Sequence, residues 1–255
     1  MKEKESEHMN VLGDQFAQLN YAISTHVLNG KENIPMTTTI SLGSKEMPYL
    51  MSVRAYGKLS ILQDDLIISI NGTPNKNITV GTIEYSSYNN YFIDQNFIFE
   101  SGGMILSQQS GNVMKIKPGF SALFLDDFLI DFTIVNISTI GNKDRSYVGF
   151  GPTSIQTEYI KSPDPSSIDN VSYINITTKY PYAWYNFLNT TLINAGFTYD
   201  PDPADADDKN YTIEIIDNNV SIHFLDFPEN DRVILHITES KIGAQIAPGI
   251  IEERK

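Results

Sequence analysis

The first thirty residues contain the pattern that most constrains the fold. Apolar side chains recur there at steps of three and four, at Met9, Leu12, Phe16, Leu19, Ile23 and Val27. This spacing places them along one side of an α-helix. Gly30 predicts the end of the helix, because glycine tolerates the left-handed conformation that commonly follows a helix end. We therefore expect a stalk-like helix over residues 1–30, with its stripe packed on a sheet and the part before Leu12 extending beyond that sheet.

The sequence after Gly30 has the composition of a β-rich domain. Short runs rich in Ile, Val, Thr, Tyr and Phe are broken by Gly, Asn and Pro. Many short strands separated by regular turn signals are typical of a β-sandwich. The predicted fold class is mainly β (α+β): an N-terminal amphipathic helix packed on a β-sandwich-like body, which also carries a second short helix.

Residues 31–242 are predicted to form this β-rich domain. The Pro-containing segment 162–170 is a candidate subdomain boundary, and residues 243–255 are predicted to be a tail. Pro181 suits a first helical turn, so we place the second helix between Pro181 and Gly196.

Turn residues set the expected strand boundaries. Polar segments at 63–65, 109–112 and 217–219 each separate two apolar runs, which predicts three hairpins. A strand is expected over residues 91–100, and a last strand over residues 232–238.

The formal net charge of −13 excludes some classes of partner. An acidic surface repels nucleic acid and anionic lipid, so we expect neither as a partner. The chain contains no cysteine, which rules out disulfides, thiolate zinc sites and cysteine nucleophiles. No stretch approaches the roughly 20 apolar residues that span a bilayer. A membrane attachment would therefore come only through a segment missing before the N-terminus.

The most informative local signal is an excess of Asn-x-Ser/Thr sequons, the acceptor sequence of N-glycosylation. Eight sequons occur, whereas the Asn, Ser and Thr content would give only ~3 by chance. Asn136 lies inside the most apolar run and is the least suitable acceptor. The alternative explanation is that strands and turns favour Asn and Thr for structural reasons. The glycosylation candidates are Asn71, Asn77, Asn170, Asn175, Asn189, Asn210 and Asn219.

One acidic loop is the candidate for a metal site. It contains Asp200, Asp202, Asp205 and Asp207, and hard cations such as Ca²⁺ bind several carboxylate oxygens at once. The loop lacks the spaced glycine and the distal glutamate of an EF-hand. We favour a solvated acidic loop over a calcium site, and we expect no cofactor.

Catalytic motifs are absent from the sequence. There is no Gly-x-Ser-x-Gly elbow, phosphate-binding loop or dinucleotide fingerprint. A hydrolase would have to use Asp126, Asp127 and Asp131 as acid and base. Adjacent residues of a strand point to opposite faces, so a turn without chemistry is the better interpretation of Asp126 and Asp127. We predict a protein that is not an enzyme.

Aromatic and amide side chains are interleaved around Tyr88 and Tyr91. Asn89 and Asn90 lie between these two tyrosines. Aromatic rings with amide neighbours suit the faces of sugars, so Tyr88 and Tyr91 are candidate carbohydrate contacts. Alternation within an ordinary strand is the competing explanation.

Several segments together resemble archaeal type IV pilin-like surface proteins. The likeness extends over residues 9–238, although each motif alone is short. The segments are Phe16-Ala17-Gln18-Leu19, Thr39-Ile40-Ser41-Leu42-Gly43, Gly81-Thr82-Ile83-Glu84-Tyr85, Tyr91-Phe92-Ile93-Asp94-Gln95, the segment 102–108 and Tyr180-Pro181-Tyr182-Ala183-Trp184.

The resemblance implies an extracellular, membrane-tethered or pilus-associated protein. In that family a hydrophobic membrane segment, processed like a pilin leader, precedes the first helix, whereas this chain starts after that point. The family offers no catalytic residues. We therefore expect a non-enzymatic structural or interaction protein of the cell surface, whose partners are other surface or pilus proteins. The alternative is a carbohydrate- or partner-binding, adhesin-like β-sandwich module.

Overall fold

The computed structural model describes residues 2–43, 55–124, 127–140, 146–199, 210–225 and 232–247. In these parts the chain is mainly β with two helices, which confirms the predicted mainly β class. No helix there is both long enough and apolar enough to cross a membrane. In chain order the elements are α1 (Lys2–Asn29), β1 (Met36–Ser41), β2 (Tyr56–Thr73), β3 (Lys76–Tyr88), β4 (Gln95–Glu100), β5 (Gly103–Gln108), β6 (Gly111–Ile116), β7 (Gly119–Phe124), β8 (Phe128–Thr139), β9 (Ser146–Gly149), β10 (Pro152–Lys161), β11 (Ser166–Thr177), α2 (Pro181–Asn194), β12 (Tyr211–Ile216), β13 (Asn219–Phe224) and β14 (Val233–Ala247).

The described strands form one hydrogen-bonded sheet of 14 strands. Its main path runs β1-β10-β14-β11-β2-β3-β4-β5-β6, and all neighbours on this path are antiparallel. Strand β8 pairs with β14 in parallel, and β7 pairs with β8. Strand β9 pairs with β2, and the β12–β13 hairpin joins the sheet where β13 pairs with β11.

Strand β11 joins two halves of this sheet, β1-β10-β14 on one side and β2-β3-β4-β5-β6 on the other. Its residues 166–168 pair with β14, and its residues 173–177 pair with β2. The halves meet again where β3 crosses β8, because the Gly81 N–H donates to Asn136 Oδ1 at 3.0 Å. A Cβ on Gly81 would lie 2.0 Å from the carbonyl oxygen of Ile137. Only glycine allows the two backbones to approach so closely.

Helix α1 buries one stripe along most of its length. The Phe16 ring contacts the rings of Tyr85 and Phe97, with ring centroids 6.4 and 5.7 Å apart. The helix ends before Gly30, which has the predicted left-handed conformation at φ 56°. Five side chains of the stripe are at most 2% exposed and share one hydrophobic cluster with strands from both halves of the sheet: Met9, Leu12, Phe16, Leu19 and Ile23.

The part of α1 before Leu12 does not extend beyond the sheet, so that expectation was wrong. Glu5 and His8 are buried. His8 Nε2 donates to the Ser41 carbonyl at 2.8 Å, and Gln15 Oε1 accepts the Ser41 N–H at 2.9 Å. Among the described strands, β1 has a sheet neighbour on one side only, and His8 and Gln15 bond to the Ser41 backbone on its other side. Polar contacts that the apolar stripe does not predict therefore hold this part of the helix.

The predicted hairpin at 63–65 is instead a bulge. Residues 56–73 form one long strand, in which Asp64 has φ 55° and the register with β3 shifts between Leu62 and Leu66. The turn between β2 and β3 comes ten residues later. The polar segment was misread because a bulge and a turn both favour residues that tolerate a positive φ.

Two further predicted boundaries differ from the structure. Strand β4 begins at Gln95, so residues 91–94 belong to the β3–β4 loop rather than to a strand. Strand β14 continues through Ala247, so residues 243–247 of the predicted tail lie in the sheet: all of them pair with β10, and residues 243 and 244 also pair with β8. Residues 248–255 lie outside the described residues.

The second helix and two of the predicted hairpins are confirmed, whereas residues 166–170 of the candidate boundary segment lie in strand β11. Helix α2 begins at Pro181, and Gly196 follows its end at φ 90°. The hairpins β5–β6 and β12–β13 form around the predicted turns. On α2 the buried side chains include Trp184 and Leu188, which pack into the second hydrophobic cluster of the protein.

We expect Phe16→Asp and Leu19→Asp each to lower the free energy of unfolding by several kcal/mol, because each places an unpaired charge in a buried site. Gln18→Asp, on the exposed side of the same helix, is the matched control and should change stability by less than about 0.5 kcal/mol. Chemical denaturation of the three variants measures the difference. Equal stability of all three would show that α1 does not need its apolar stripe.

Candidate functional site

Three aromatic side chains form a row across the start of β2, the end of β3 and the end of β9. Tyr56 pairs with Tyr88 on β3. The residue after Tyr56 pairs with Gly149, the last residue of β9, and Phe150 follows Gly149. The rings of Tyr56 and Tyr88 stack with centroids 4.6 Å apart and an interplanar angle of 12°. The Phe150 ring lies 5.9 Å from Tyr56 on a tilted plane. Each of the three is at least 37% exposed.

A fourth exposed ring follows in the β3–β4 loop. Tyr91 is 52% exposed and lies three residues after Tyr88. We call Tyr56, Tyr88, Tyr91 and Phe150 the aromatic surface. Strand alternation puts Tyr56 and Tyr88 on the face of the β2–β3 ribbon opposite to Tyr85, which packs against α1. The aromatic surface is therefore separate from the core contact of the helix.

The carboxylate of Glu5 fixes the backbone of the β3–β4 loop. Its oxygens accept the N–H groups of Asn90, Tyr91 and Phe92 at 3.0, 2.8 and 2.7 Å. Glu5 is only 3% exposed. Consecutive backbone N–H groups that converge on one anion form a nest, and bonds to a carboxylate are stronger than bonds to a neutral acceptor. The first turns of α1 thus hold the segment that carries Tyr91.

The sequence contains a signal for Glu5, although the interpretation above missed it. Glu5 lies four residues before Met9 and so continues the apolar stripe by one helical step. A charged residue at a buried stripe position needs hydrogen-bond partners, which predicts a specific contact. Tyr56 and Phe150 were missed for another reason: only the strand register brings them beside Tyr88.

The predicted acidic sites do not converge in the described parts of the chain. Asp127 accepts from Arg232 Nε at 3.3 Å, and Asp131 pairs with His236 at 3.2 Å. Asp126 and the loop with Asp200, Asp202, Asp205 and Asp207 lie outside the described residues. No group of three or more His, Asp or Glu side chains in the described segments could hold a metal ion.

One buried carboxyl joins β4 to the start of α2. Glu100 is fully buried, and its oxygens accept bonds from Trp184 Nε1 at 2.7 Å and from Thr178 Oγ1 at 3.0 and 3.1 Å. Burial raises the pKa of Glu100 to about 7, and these bonds lower it in part. A substrate cannot reach a fully buried group, so this carboxyl positions α2 and does not form a reaction site.

The two histidines of α1 are also buried and bond to backbone. His8 donates to Ser41, as described above, and His26 Nε2 donates to the Thr157 carbonyl at 3.0 Å. Burial lowers the pKa of both imidazoles, which disfavours their charged forms. They act as neutral donors that fasten the helix to β1 and β10.

The sequon asparagines differ widely in exposure. Asn77 on β3 and Asn170 on β11 are exposed, whereas the others are half-buried: Asn71, Asn136, Asn175, Asn189, Asn210 and Asn219. The Asn136 side chain on β8 bonds to the backbone of β3, where it accepts the Gly81 N–H and donates to the Thr79 carbonyl.

Comparison with known proteins identifies no relative. The chain matches no protein family, no curated protein and no solved structure. The function proposed below therefore depends on the geometry of this chain, and above all on the aromatic surface and the contacts that hold it.

Glu5→Gln should loosen the β3–β4 loop. An amide side chain has one oxygen, so its NH₂ group would face a backbone N–H that the carboxylate now accepts, at a cost of roughly 1 to 3 kcal/mol. Hydrogen–deuterium exchange should accelerate at residues 90–92. Glu3→Gln, an exposed change in the same helical turn, is the control and should leave exchange in the loop unchanged. We call the three bonds from residues 90–92 to Glu5 the Glu5 clamp. Protection of residues 90–92 that survives Glu5→Gln would contradict the clamp.

Glu100→Gln should stabilise the protein at high pH. The pKa of Glu100 is higher in the folded protein, at about 7, than its ordinary value of 4.5. Its contribution to stability is therefore complete below pH 4.5 and is lost as the pH rises through 7. A glutamine avoids this loss, so the variant should gain roughly 2 to 3 kcal/mol over wild type at pH 8 and little at pH 5.

Chemical denaturation at both pH values measures this difference. Glu214→Gln, an exposed change on β12, is the control and should show no such dependence. A Glu100→Gln variant that is less stable than wild type at pH 8 would mean that the ionised carboxylate is the form the fold requires.

Proposed function

We propose that the protein is a non-enzymatic interaction protein of the cell surface that binds carbohydrate through its aromatic surface. The observation that carries the proposal is the row of Phe150, Tyr56 and Tyr88, with the exposed Tyr91 three residues after Tyr88 in the β3–β4 loop. Three of these four side chains are tyrosines, which combine an apolar ring with a hydroxyl group.

The chemistry of the surface suits sugars better than it suits anions. Sugar rings present C–H groups that pack against aromatic faces, and hydroxyl groups that bond to tyrosine and amide side chains. Tyr56 and Tyr88 cover one face of each other by stacking, so the other face of Tyr88 and the ring of Tyr91 would take the sugar. Asn90 lies between them in sequence. The acidic net charge disfavours nucleic acid and anionic lipid.

Preorganisation supports a binding role for these rings. The Tyr56–Tyr88 stack holds two rings against each other, and the Glu5 clamp fixes the backbone at Tyr91. A ligand that meets ordered rings loses less conformational entropy on binding than one that must order them. The exposure of these rings to water is a cost that a bound sugar would remove.

The location at the cell surface is the second part of the proposal. It is motivated by the excess of sequons and by the resemblance to archaeal pilin-like proteins. In this proposal α1 lies against a sandwich-like body, and other surface or pilus proteins are neighbours. The Glu5 clamp places Tyr91 of the aromatic surface at the N-terminal end of α1. A membrane segment before α1 would put the aromatic surface on the side of the tether.

The test compares two pairs of tyrosines. We expect wild type to bind oligosaccharides on a glycan array, and Tyr88→Ser with Tyr91→Ser to weaken that binding at least about tenfold, or roughly 1.4 kcal/mol. Tyr21→Ser with Tyr182→Ser changes two tyrosines that are more exposed and lie elsewhere, so binding should persist. Titration calorimetry with the best array ligand gives the affinities.

Two results would overturn the carbohydrate assignment. One is an array without signal for the folded wild-type protein. The other is an equal loss of binding in both tyrosine pairs, which would indicate a nonspecific effect of exposed rings. Self-association of wild type that Tyr88→Ser with Tyr91→Ser abolishes, without sugar binding, would assign the aromatic surface to contacts between copies of the protein.

A further inference from the structure

Four of the strand sequons share one face of the sheet. Residues i and i+2 of a strand point to the same side, so the Asn and the Ser or Thr of a strand sequon lie side by side. On β2, β3, β11 and β13 the opposite side is the buried one, with residues such as Ile70, Val80, Ile174 and Ile222 in the core. The outer face accordingly carries Asn71, Asn77, Asn175, Asn219 and their partner hydroxyl residues.

The hydrogen bonds of each amide show which asparagine can carry a glycan. N-glycosylation replaces one of the two hydrogens on Nδ2 and leaves Oδ1 free to accept. Asn136 uses both hydrogens, on the Thr79 carbonyl at 3.0 Å and on Glu239 Oε1 at 3.4 Å. Its Oδ1 accepts the Gly81 N–H in addition. A glycan at Asn136 would break the contact between β3 and β8.

Four half-buried acceptors are restricted less severely. Each of these four amides makes one hydrogen bond. The Asn71 Nδ2 donates to Ser172. In the other three residues Oδ1 accepts a bond: Asn189 from Tyr211, Asn210 from Thr198 and Asn219 from Thr177. Asn175 has a buried Oδ1 without a partner in the described chain. All five side chains are turned in part towards the protein.

Asn77 and Asn170 satisfy the requirements best. Both side chains are exposed, and so are the hydroxyl residues of their sequons, Thr79 and Ser172. Asn170 also has φ 52°, at the irregularity where the pairing of β11 with β2 is interrupted between Asp169 and Tyr173. Asparagine tolerates this left-handed conformation better than most residues.

We propose that Asn77 and Asn170 are the N-glycan acceptors of this protein. Both lie towards the turn between β2 and β3, since Asn77 pairs with Ser69 and Asp169 pairs with Thr73. Tyr56 pairs with Tyr88 at the opposite end of the β2–β3 pair, and Tyr88 is 11 residues from Asn77 on β3, about 36 Å at a rise of about 3.3 Å per residue. The glycans therefore leave the aromatic surface uncovered. This inference rests on the extracellular location in the proposed function.

The experiment uses the full chain, secreted from a host that N-glycosylates Asn-x-Ser/Thr sequons. Intact mass and peptide mapping should show glycans at Asn77 and Asn170. Asn77→Gln and Asn170→Gln should each remove one glycan mass, and the double variant should remove both. Asn71→Gln is the matched control on the neighbouring strand and should keep both glycans. A folded, secreted protein without glycan at Asn77 and Asn170, or with glycan at Asn136, overturns the assignment.

The same samples separate this inference from the carbohydrate-binding proposal. The double variant should bind oligosaccharide as wild type does, because the acceptors are far from the aromatic surface. Unmodified protein that still binds oligosaccharide would overturn the acceptor assignment alone. Protein that is glycosylated at both sites but binds no oligosaccharide would overturn the aromatic binding site alone.

Discussion

The buried carboxylate of Glu5 is the contact on which the arrangement of helix, loop and aromatic surface depends. A charge removed from water is costly unless it is fully hydrogen-bonded, and here three backbone N–H groups of one loop bond to it. The bond joins residues 85 or more positions apart in the chain. The docked helix therefore holds the backbone at Tyr91, and the loop in turn supplies the bonds that the buried carboxylate needs.

Further along α1, neutral contacts replace the charged one. Asn20 Nδ2 donates to the Gly102 carbonyl at 2.8 Å, and His26 bonds to Thr157 on β10. The helix therefore contacts both halves of the sheet through polar groups as well as through its apolar stripe.

Acid acts differently on the two helices. Burial lowers the pKa of His8 and His26, so their contribution to stability is complete above pH 6.5 and is lost as the pH falls below it. For Glu100 beside α2 the change with pH has the opposite sign.

The sequence predicts those elements whose cause is local. Helix α1 follows from a periodic stripe and Gly30, helix α2 from Pro181 and its apolar side, and the hairpin β5–β6 from a polar turn between apolar runs. The errors occur where a distant partner decides the conformation. Residues 91–94 do not form a strand, because Glu5 accepts the backbone N–H groups of residues 90–92, which would otherwise be available to pair with a neighbouring strand. Residues 243 and 244 remain in a strand because β8 pairs with them in parallel.

The candidate site shows the same limit. Tyr88 and Tyr91 could be singled out because they are close in sequence, whereas Tyr56 and Phe150 join them only through the register of β2 with its two neighbours. The excess of sequons has a structural component that the sequence alone cannot separate from modification. Alternation on a half-exposed strand places small polar residues two apart, and Asn followed by Ser or Thr at that spacing is a sequon. The structure separates the sequons by their amide contacts: Asn136 donates both Nδ2 hydrogens, whereas Asn77 and Asn170 are exposed. The long β2–β3 ribbon carries the exposed rings of Tyr56 and Tyr88 at one end, and the exposed sequon residue Asn77 lies towards its other end.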